Sequence, residues 1–261
     1  MQFERLLQPR SAHASGGAPP RSSPSAGQSA PSTEERCPAC GFHMFGLAEP
    51  GTGDGYDHGH HTRRRLKRGE TLCRAGESFE FLYAARHGFF KSALRLEDGR
   101  EQVTGFFMPG ELMGVDAIAA ARHQASILAL EDSEVCAIRL PVLDLDASAQ
   151  RQVCNAMGSE LARMLRVLAM LGSMRAEQRL AAFVLDLSRR FAERGYSASE
   201  FNLRMTREEI GSYLGLTLQT VSLDLSRFAR AGLIAVRHRH VRIVDAAGLQ
   251  GIAAGQRLHS A

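Results

Sequence analysis

The sequence predicts an α+β protein: a β-rich sandwich, barrel or roll, then a long helix, then a helix-turn-helix with a wing. Three observations predict it. Glycines at 69, 76, 88, 99, 105, 110 and 114 punctuate short apolar runs, the spacing of many short strands. From Gln150 to Met174 the apolar residues fall instead at helical spacing. Beyond Met205, two short helices with a Gly-containing turn between them precede a pair of alternating strands with a basic tip.

The 261 residues suffice for one or two compact domains, and 44% hydrophobic with 23% charged residues is ordinary globular composition. No run approaches the ~18 apolar residues of a membrane helix. Met1 to Arg10 has no apolar core of a secretory signal. Five cysteines, an odd number at low density, argue against a disulfide-stapled fold. The expectation is a cytoplasmic protein with reduced thiols and no membrane partner. Of 32 basic residues only Lys67 and Lys91 are lysines. Codon bias explains that, and a nucleic-acid reading needs the basic residues clustered on a recognisable element.

Residues 1–36 read as a disordered tail, because the Ser, Pro, Gly and Ala of 11–36 offer almost nothing to bury. A cysteine-bearing segment and a loose stretch occupy 37–65, with order beginning near Leu66. The strand-rich domain covers 66–141, with strands around Phe81–Ala84, Ser92–Leu96, Val103–Phe107, Ile127–Leu130 and Val135–Ile138. A dimerisation helix spans 142–174. On it Cys154, Met157, Leu161, Met164, Leu168 and Leu171 are spaced 3, 4, 3, 4, 3, an uncharged heptad seam that would join two subunits. A single helix packed on its own domain is the alternative. Cys154 reads as a small seam residue, a cross-dimer disulfide being the other reading. His58, His60 and His61 read as a solvated loop or, alternatively, a metal site.

Residues 175–261 form the last domain. Arg179 to Arg194 is amphipathic and closes at Gly195. Thr206 and Glu209 have capping-box spacing at the start of a helix that runs to Leu214. After Gly215-Leu216, Thr217 caps a second helix, Leu218 to Ala231, which Gly232 ends. Ile210, Leu216, Val221, Leu225 and Phe228 would be buried, leaving Gln219, Ser222 and Leu223 on the other face. Ile234, Val236, Val241 and Ile243 alternate about Arg237-His238-Arg239-His240, the wing. Residues 200–261 hold eight arginines against five acids, a local positive excess suited to phosphate.

The stretches GETLCRAGESFEFLYAARHGFFKS, EQVTGFFMPGELMGVDAI, AEQRLAAFVLDLSRRFAERG and MTREEIGSYLGLTLQTVS, in this order, resemble the Crp/Fnr family of transcription regulators. The oxygen-sensing Fnr branch is the most similar, over about Gly69 to Val244. The resemblance implies a cyclic-nucleotide-binding-like double-stranded β-roll sensor domain, a dimerisation helix and a winged helix-turn-helix. It implies a homodimer that binds double-stranded DNA and responds to oxygen or redox state. It also implies an RNA polymerase contact through Glu97-Asp98-Gly99-Arg100. No enzyme is expected, since no nucleophile–base set, phosphate loop or metalloprotease motif occurs.

Two departures concern ligands. Gly110-Glu111-Leu112 matches the branch that binds cAMP, but Gln124-Ala125-Ser126 stands where that branch has Arg-Ser-Ala, so no cAMP is expected. The Fnr branch holds a 4Fe–4S cluster with cysteines spaced C-x2-C-x5-C and a fourth in the roll; thiolates suit such clusters because soft sulfur binds iron covalently. Cys37 and Cys40 match the first two and Cys136 the distant one, but Gly46 occupies the third position. His43 or Cys73 is a candidate substitute. Other readings are a non-protein ligand at one iron, a 2Fe–2S type, zinc held with His43, thiol switching, or no cofactor.

A third departure lies in the second helix. The family usually reads its half-site with a Glu and, four residues on, an Arg preceded by Ser; here Gln219, Ser222 and Leu223 occupy those places, and Asp224 follows where the family is apolar. Gln pairs with adenine edges and Leu touches only a thymine methyl, so the operator should differ. Arg207, Thr217, Thr220, Arg237 and Arg239 remain to position phosphates. The alternative function is a degenerate member that heterodimerises with an intact partner and modulates it.

Overall fold

The structure is a computed structural model that describes residues 61–139 and 147–257. Eight strands come first: β1 (His61–Leu66), β2 (Thr71–Cys73), β3 (Phe81–His87), β4 (Phe90–Arg95), β5 (Glu101–Phe107), β6 (Leu112–Met113), β7 (Ser126–Ala129) and β8 (Ser133–Arg139). They form two four-stranded sheets in the orders β1-β8-β3-β6 and β2-β7-β4-β5, every described pair antiparallel. β1 begins five residues before the expected onset of order at Leu66. Its Arg63-Arg64-Arg65 run hides a strand, because pairing with β8 (Arg64 opposite Val135) supplies the register that side-chain pattern does not.

Period-two alternation gives the first sheet two apolar faces. Tyr83, Ala85, Val135 and Ala137 point into the roll, where they meet Leu72, Cys73, Phe90, Phe107 and Ile127. Leu82, Ala84, Cys136 and Ile138 point out, and Val153 covers them. Val153 belongs to α1 (Ala147–Ser173), about 40 Å of helix. Arg163 fixes α1 to the second sheet: its guanidinium lies 4.8 Å from the Phe107 ring centroid and donates to the Phe106 carbonyl at 3.3 Å.

The remaining elements are α2 (Ala176–Ala192), β9 (Glu200–Asn202), α3 (Arg207–Leu214), α4 (Leu218–Arg230), β10 (Ile234–Arg237), β11 (His240–Ile243) and α5 (Ala246–Ala253). They share one core with the outer face of β5: Val103 and Phe106 pack with Leu180, Phe183, Tyr213, Leu214 and Phe228. The Phe106 ring centroid lies 5.1 Å from that of Tyr213 and 6.0 Å from that of Phe183. β5 is an edge strand, and α3 covers it. The Val103 N–H donates to Ser212 Oγ at 2.9 Å, and the Gln102 side chain donates to the Ser212 carbonyl.

Among the elements after α1, β9 and α5 carry no signal in the sequence. β9 is three residues long, too short for periodicity, and exists through its pairing with β11. α5 is capped by Asp245, which accepts from the Gly248 N–H at 2.9 Å, and buries Leu249 and Ile252 against α2. Among the described residues no helix is long and apolar enough to cross a membrane.

Candidate nucleic-acid interface and sensor face

α3 and α4 form the expected helix-turn-helix, and its ends are set by local chemistry. Thr206 Oγ1 accepts from the Glu209 N–H at 3.1 Å while the Glu209 carboxylate accepts from the Thr206 N–H at 2.7 Å, the reciprocal box that starts α3. Burial works against the Glu209 charge, but Lys91 and Thr206 outweigh it and hold the carboxyl below its ordinary value. Gly215, at φ +62°, takes the left-handed turn between the helices. Gly211 is needed for space, since a Cβ there would sit 2.6 Å from the Leu216 carbonyl oxygen. Thr217 starts α4 by accepting from the Thr220 N–H at 3.1 Å.

α4 turns Val221, Leu225 and Phe228 inward, as expected, with Leu216 half-buried before it and Ile210 buried on α3. Gln219 and Leu223 are exposed and Ser222 half-exposed on the outer face. Arg207 is exposed on the first turn of α3, and Thr217 and Thr220 stand at the N-terminus of α4, where helix N–H groups suit phosphate. The wing is the sheet β10-β11-β9. Its tip is the two-residue turn His238-Arg239, with His238 at φ +58°, and Arg237 and Arg239 are exposed there. His240 Nε2 meets Glu200 Oε1 at 2.9 Å across the wing.

The outward surface of α4 therefore offers an amide, a hydroxyl and an isobutyl group. Arginine at the place of Leu223 would give a bidentate donor pair for guanine O6 and N7. Leu223→Arg is expected to raise affinity for half-sites with guanine at the facing position by about tenfold or more over those without it. Competition binding with paired duplexes reads this; equal affinity for both would contradict the assignment.

Asp224 is the surprise in α4: it lies on the buried face at 2% exposure. Its Oδ1 meets Arg227 at 3.3 Å, and its Oδ2 has no partner. Burial pushes its carboxyl above the ordinary range, Arg227 pulls back, and Glu177 of α2 adds to the rise. A carboxyl raised in the folded state contributes stability below its unfolded pKa and loses it as pH rises through the folded one. Asp224→Asn is thus expected to stabilise the fold and raise Tm at pH 7, with the gain shrinking as pH falls towards 4. Thermal melts across that range check it; a constant difference would contradict the sign.

The sensor residues divide. Cys37, Cys40, His43 and Gly46 lie outside the described residues, as do His58 and His60. Cys136 is buried on the outward face of the first sheet, beneath Val153 of α1. Cys73 faces the roll interior with Val135 and Ala137, on the other side of that sheet. The first sheet therefore stands between the Cys73 and Cys136 sulfurs. Burial, and secondarily Asp116, push the Cys73 thiol up to about 12, away from the thiolate a metal requires. Among the described residues no three His, Cys, Asp or Glu side chains converge as a metal site.

The seam residues Cys154, Met157, Leu161, Met164 and Leu168 are exposed along one stripe of α1, with Leu171 half-buried. Leu161 is 59% and Leu168 65% exposed. Glu97-Asp98-Gly99-Arg100 forms the exposed turn between β4 and β5, where the Asp98 carboxylate accepts from Arg100 Nε at 2.7 Å. The Glu111 carboxylate is engaged by Arg190 of α2 and by Arg194 just beyond its C-terminal end. Ser126 Oγ accepts from the Ala75 N–H at 3.0 Å, and Asp116 accepts from the Gln124 and Ala125 N–H groups. Neither Arg190 nor Asp224 was assigned a buried role from the sequence. A signal was there in both cases, a charged residue inside an apolar helical stripe: Arg190 three residues after Leu187, Asp224 three after Val221.

Comparisons with known proteins agree with this geometry. Residues 178–252 match the profile of the Crp-like helix-turn-helix domain, and residues 63–144 that of the cyclic nucleotide-binding domain. The chain is 49% identical over 192 residues to the transcriptional regulatory protein btr of Bordetella pertussis, covering 72% of this chain and 79% of that one. It is 41% identical over 196 residues to the fumarate and nitrate reduction regulatory protein of Salmonella typhimurium, covering 73% and 78%. The structure of FixK2 from Bradyrhizobium japonicum superposes with a TM-score of 0.69 at 27% identity, covering 76% of this chain and 99% of that one.

Proposed function

The chain belongs to the Crp/Fnr family of transcription regulators, and from that premise we propose a homodimer that reads a two-fold DNA site and takes oxygen or redox state as its signal. Family members bind DNA and typically dimerise, and they are not enzymes. The observation that carries the reading is the coexistence of two surfaces in one protomer. One is the outward α4 face flanked by Arg207 and the wing arginines; the other is the exposed apolar stripe of α1. A helix stripe of this kind is covered by a second copy in register, which sets two α4 helices to follow one face of the duplex.

The proposed signal enters at Cys136. That thiol lies against Val153, close to the start of α1, so a change there bears directly on the dimer helix. Cys37, Cys40 and Cys136 would hold an iron–sulfur cluster, which supplies reactivity towards oxygen. Three thiolates are one short of the four of a Cys₄ site, so the fourth position falls to His43 or a ligand from outside the chain. The occupied Glu111 supports a signal other than cAMP. The exposed turn at Glu97–Arg100 is the proposed contact for RNA polymerase.

One experiment tests the whole reading: iron, acid-labile sulfide and binding to genomic DNA fragments, measured on protein purified without oxygen and again after air. The expected result is near-stoichiometric iron and sulfide, specific retention of a few fragments, and loss of all three in air. Colourless protein whose binding ignores air would overturn the redox reading, and absence of any specific fragment would overturn DNA reading by the homodimer.

A further inference from the structure

We infer that Glu111 is the positioning residue that fixes where the two recognition helices stand relative to each other on DNA, acting through Arg190 and Arg194. The inference rests on the DNA-reading dimer proposed above. The Glu111 carboxylate accepts four hydrogen bonds. Oε1 takes Arg190 Nε at 3.2 Å and Arg194 Nη2 at 2.6 Å; Oε2 takes Arg190 Nη2 at 2.7 Å and the Met108 N–H at 3.0 Å. Arg190 is only 5% exposed. Charge-assisted bonds in so dry a setting are short, directional and stiff.

The same guanidinium donates to the Phe106 carbonyl at 2.7 Å, and that carbonyl also receives Arg163 of α1 at 3.3 Å. Arg194 Nε adds a bond to the Pro109 carbonyl at 2.6 Å. One carboxylate and one carbonyl thus join three parts: the roll, the helix that would pair the subunits, and α2. α2 in turn packs on α4, so where α2 goes the recognition helix follows.

Without the clasp the winged module keeps its other contacts with the roll, where Ser212 meets β5, Lys91 Nζ meets Glu209 at 2.9 Å, Arg204 meets Glu131 at 3.2 Å, and Phe106 and Phe89 pack on Phe183, Tyr213 and Phe191. Most of these contacts are apolar packing, which resists a small rotation less than directional charge-assisted bonds do, so losing the clasp lets the module turn on the packed surface. In a two-fold dimer each such turn occurs twice, so the separation of the recognition helices is what loosens. Each α4 keeps its own base contacts. Glu111 therefore governs tolerance of half-site spacing more than affinity for a half-site.

The test uses the full-length protein and the operator it selects from random duplexes, remade with the centre one base pair shorter and one longer. Each step shifts a half-site by about one-tenth of a helical turn. The wild type is expected to lose about tenfold or more on the altered spacings, and Glu111→Gln to vary less than about threefold across the set. Arg194→Gln is the second variant, should the first fail to fold, with the same expected flattening. Wild-type spacing discrimination in the folded variants would overturn the inference, as would an equal loss on all three duplexes, which marks a merely structural role. Wild-type protein that selects no duplex would overturn it together with the function on which it rests.

Discussion

Replacing Leu161 by glutamate is expected to convert the dimer to monomers and abolish two-fold DNA binding. Leu161 is 59% exposed in the protomer, so the substitution costs the isolated chain little. In the dimer the same residue would sit at the middle of a stripe running from Cys154 to Leu171, opposite its copy. Two buried leucines would be lost and two carboxylates brought together without partners. The dissociation constant is expected to rise on the order of a thousandfold or more. Sedimentation at low micromolar protein reads the effect, with a thermal melt to show that the monomer stays folded. A variant that remains dimeric would place the interface elsewhere and return α1 to the role of a helix packed on its own domain.

Phe106→Ala should act on the protomer instead. Phe106 is 1% exposed and stands where β5 meets α2 and α3, in ring contact with Phe183 and Tyr213. Truncation leaves a cavity in the core that the roll and the winged module share. The expected cost is about 3–5 kcal/mol. A second consequence is more diagnostic. Among the described residues the roll and the winged module share this core, so the wild type should unfold in one step, and the variant should separate into two. Denaturant titrations followed both by far-UV signal and by a probe in the roll would show whether the transitions part. A loss under about 1 kcal/mol, with one transition retained, would mean that the junction is held by the charged clasp and not by the aromatic core.

Elements with strong local chemistry were legible: the Thr206–Glu209 box, the Thr217 cap, the left-handed Gly215 and the alternation of Ile234, Val236, Val241 and Ile243 all operate within a few residues. The outward face of α4 followed from helical periodicity alone. Strands made by long-range pairing were not legible. β1 is a run of arginines that becomes a strand because β8 lies beside it, and β9 has three residues.

The charged residues within apolar stripes mark the other limit. Arg190 and Asp224 look like interruptions of amphipathic helices, and periodicity cannot tell whether such a residue bends out to water or is buried with a partner. For Arg190 the partner is 79 residues away at Glu111, a separation no local pattern spans. For Asp224 the nearest cation is one turn along the same helix and satisfies only one oxygen. Cys73 shows the same limit for ligands: the sequence offers it only as a further cysteine, and no local pattern tells that it faces the roll interior while Cys136 faces out.

We propose that this chain, as a homodimer, reads a two-fold site with Gln219, Ser222 and Leu223 in place of the family's usual readers. Selection of bound duplexes from a random pool by the full-length protein tests it most directly. The account expects an inverted repeat whose half-site differs from the usual Fnr-type one at the position facing Leu223, with adenine favoured opposite Gln219. Recovery of the standard half-site would contradict the altered readout, and a pool with no inverted repeat would contradict DNA reading by the homodimer and leave the heterodimerising modulator in its place.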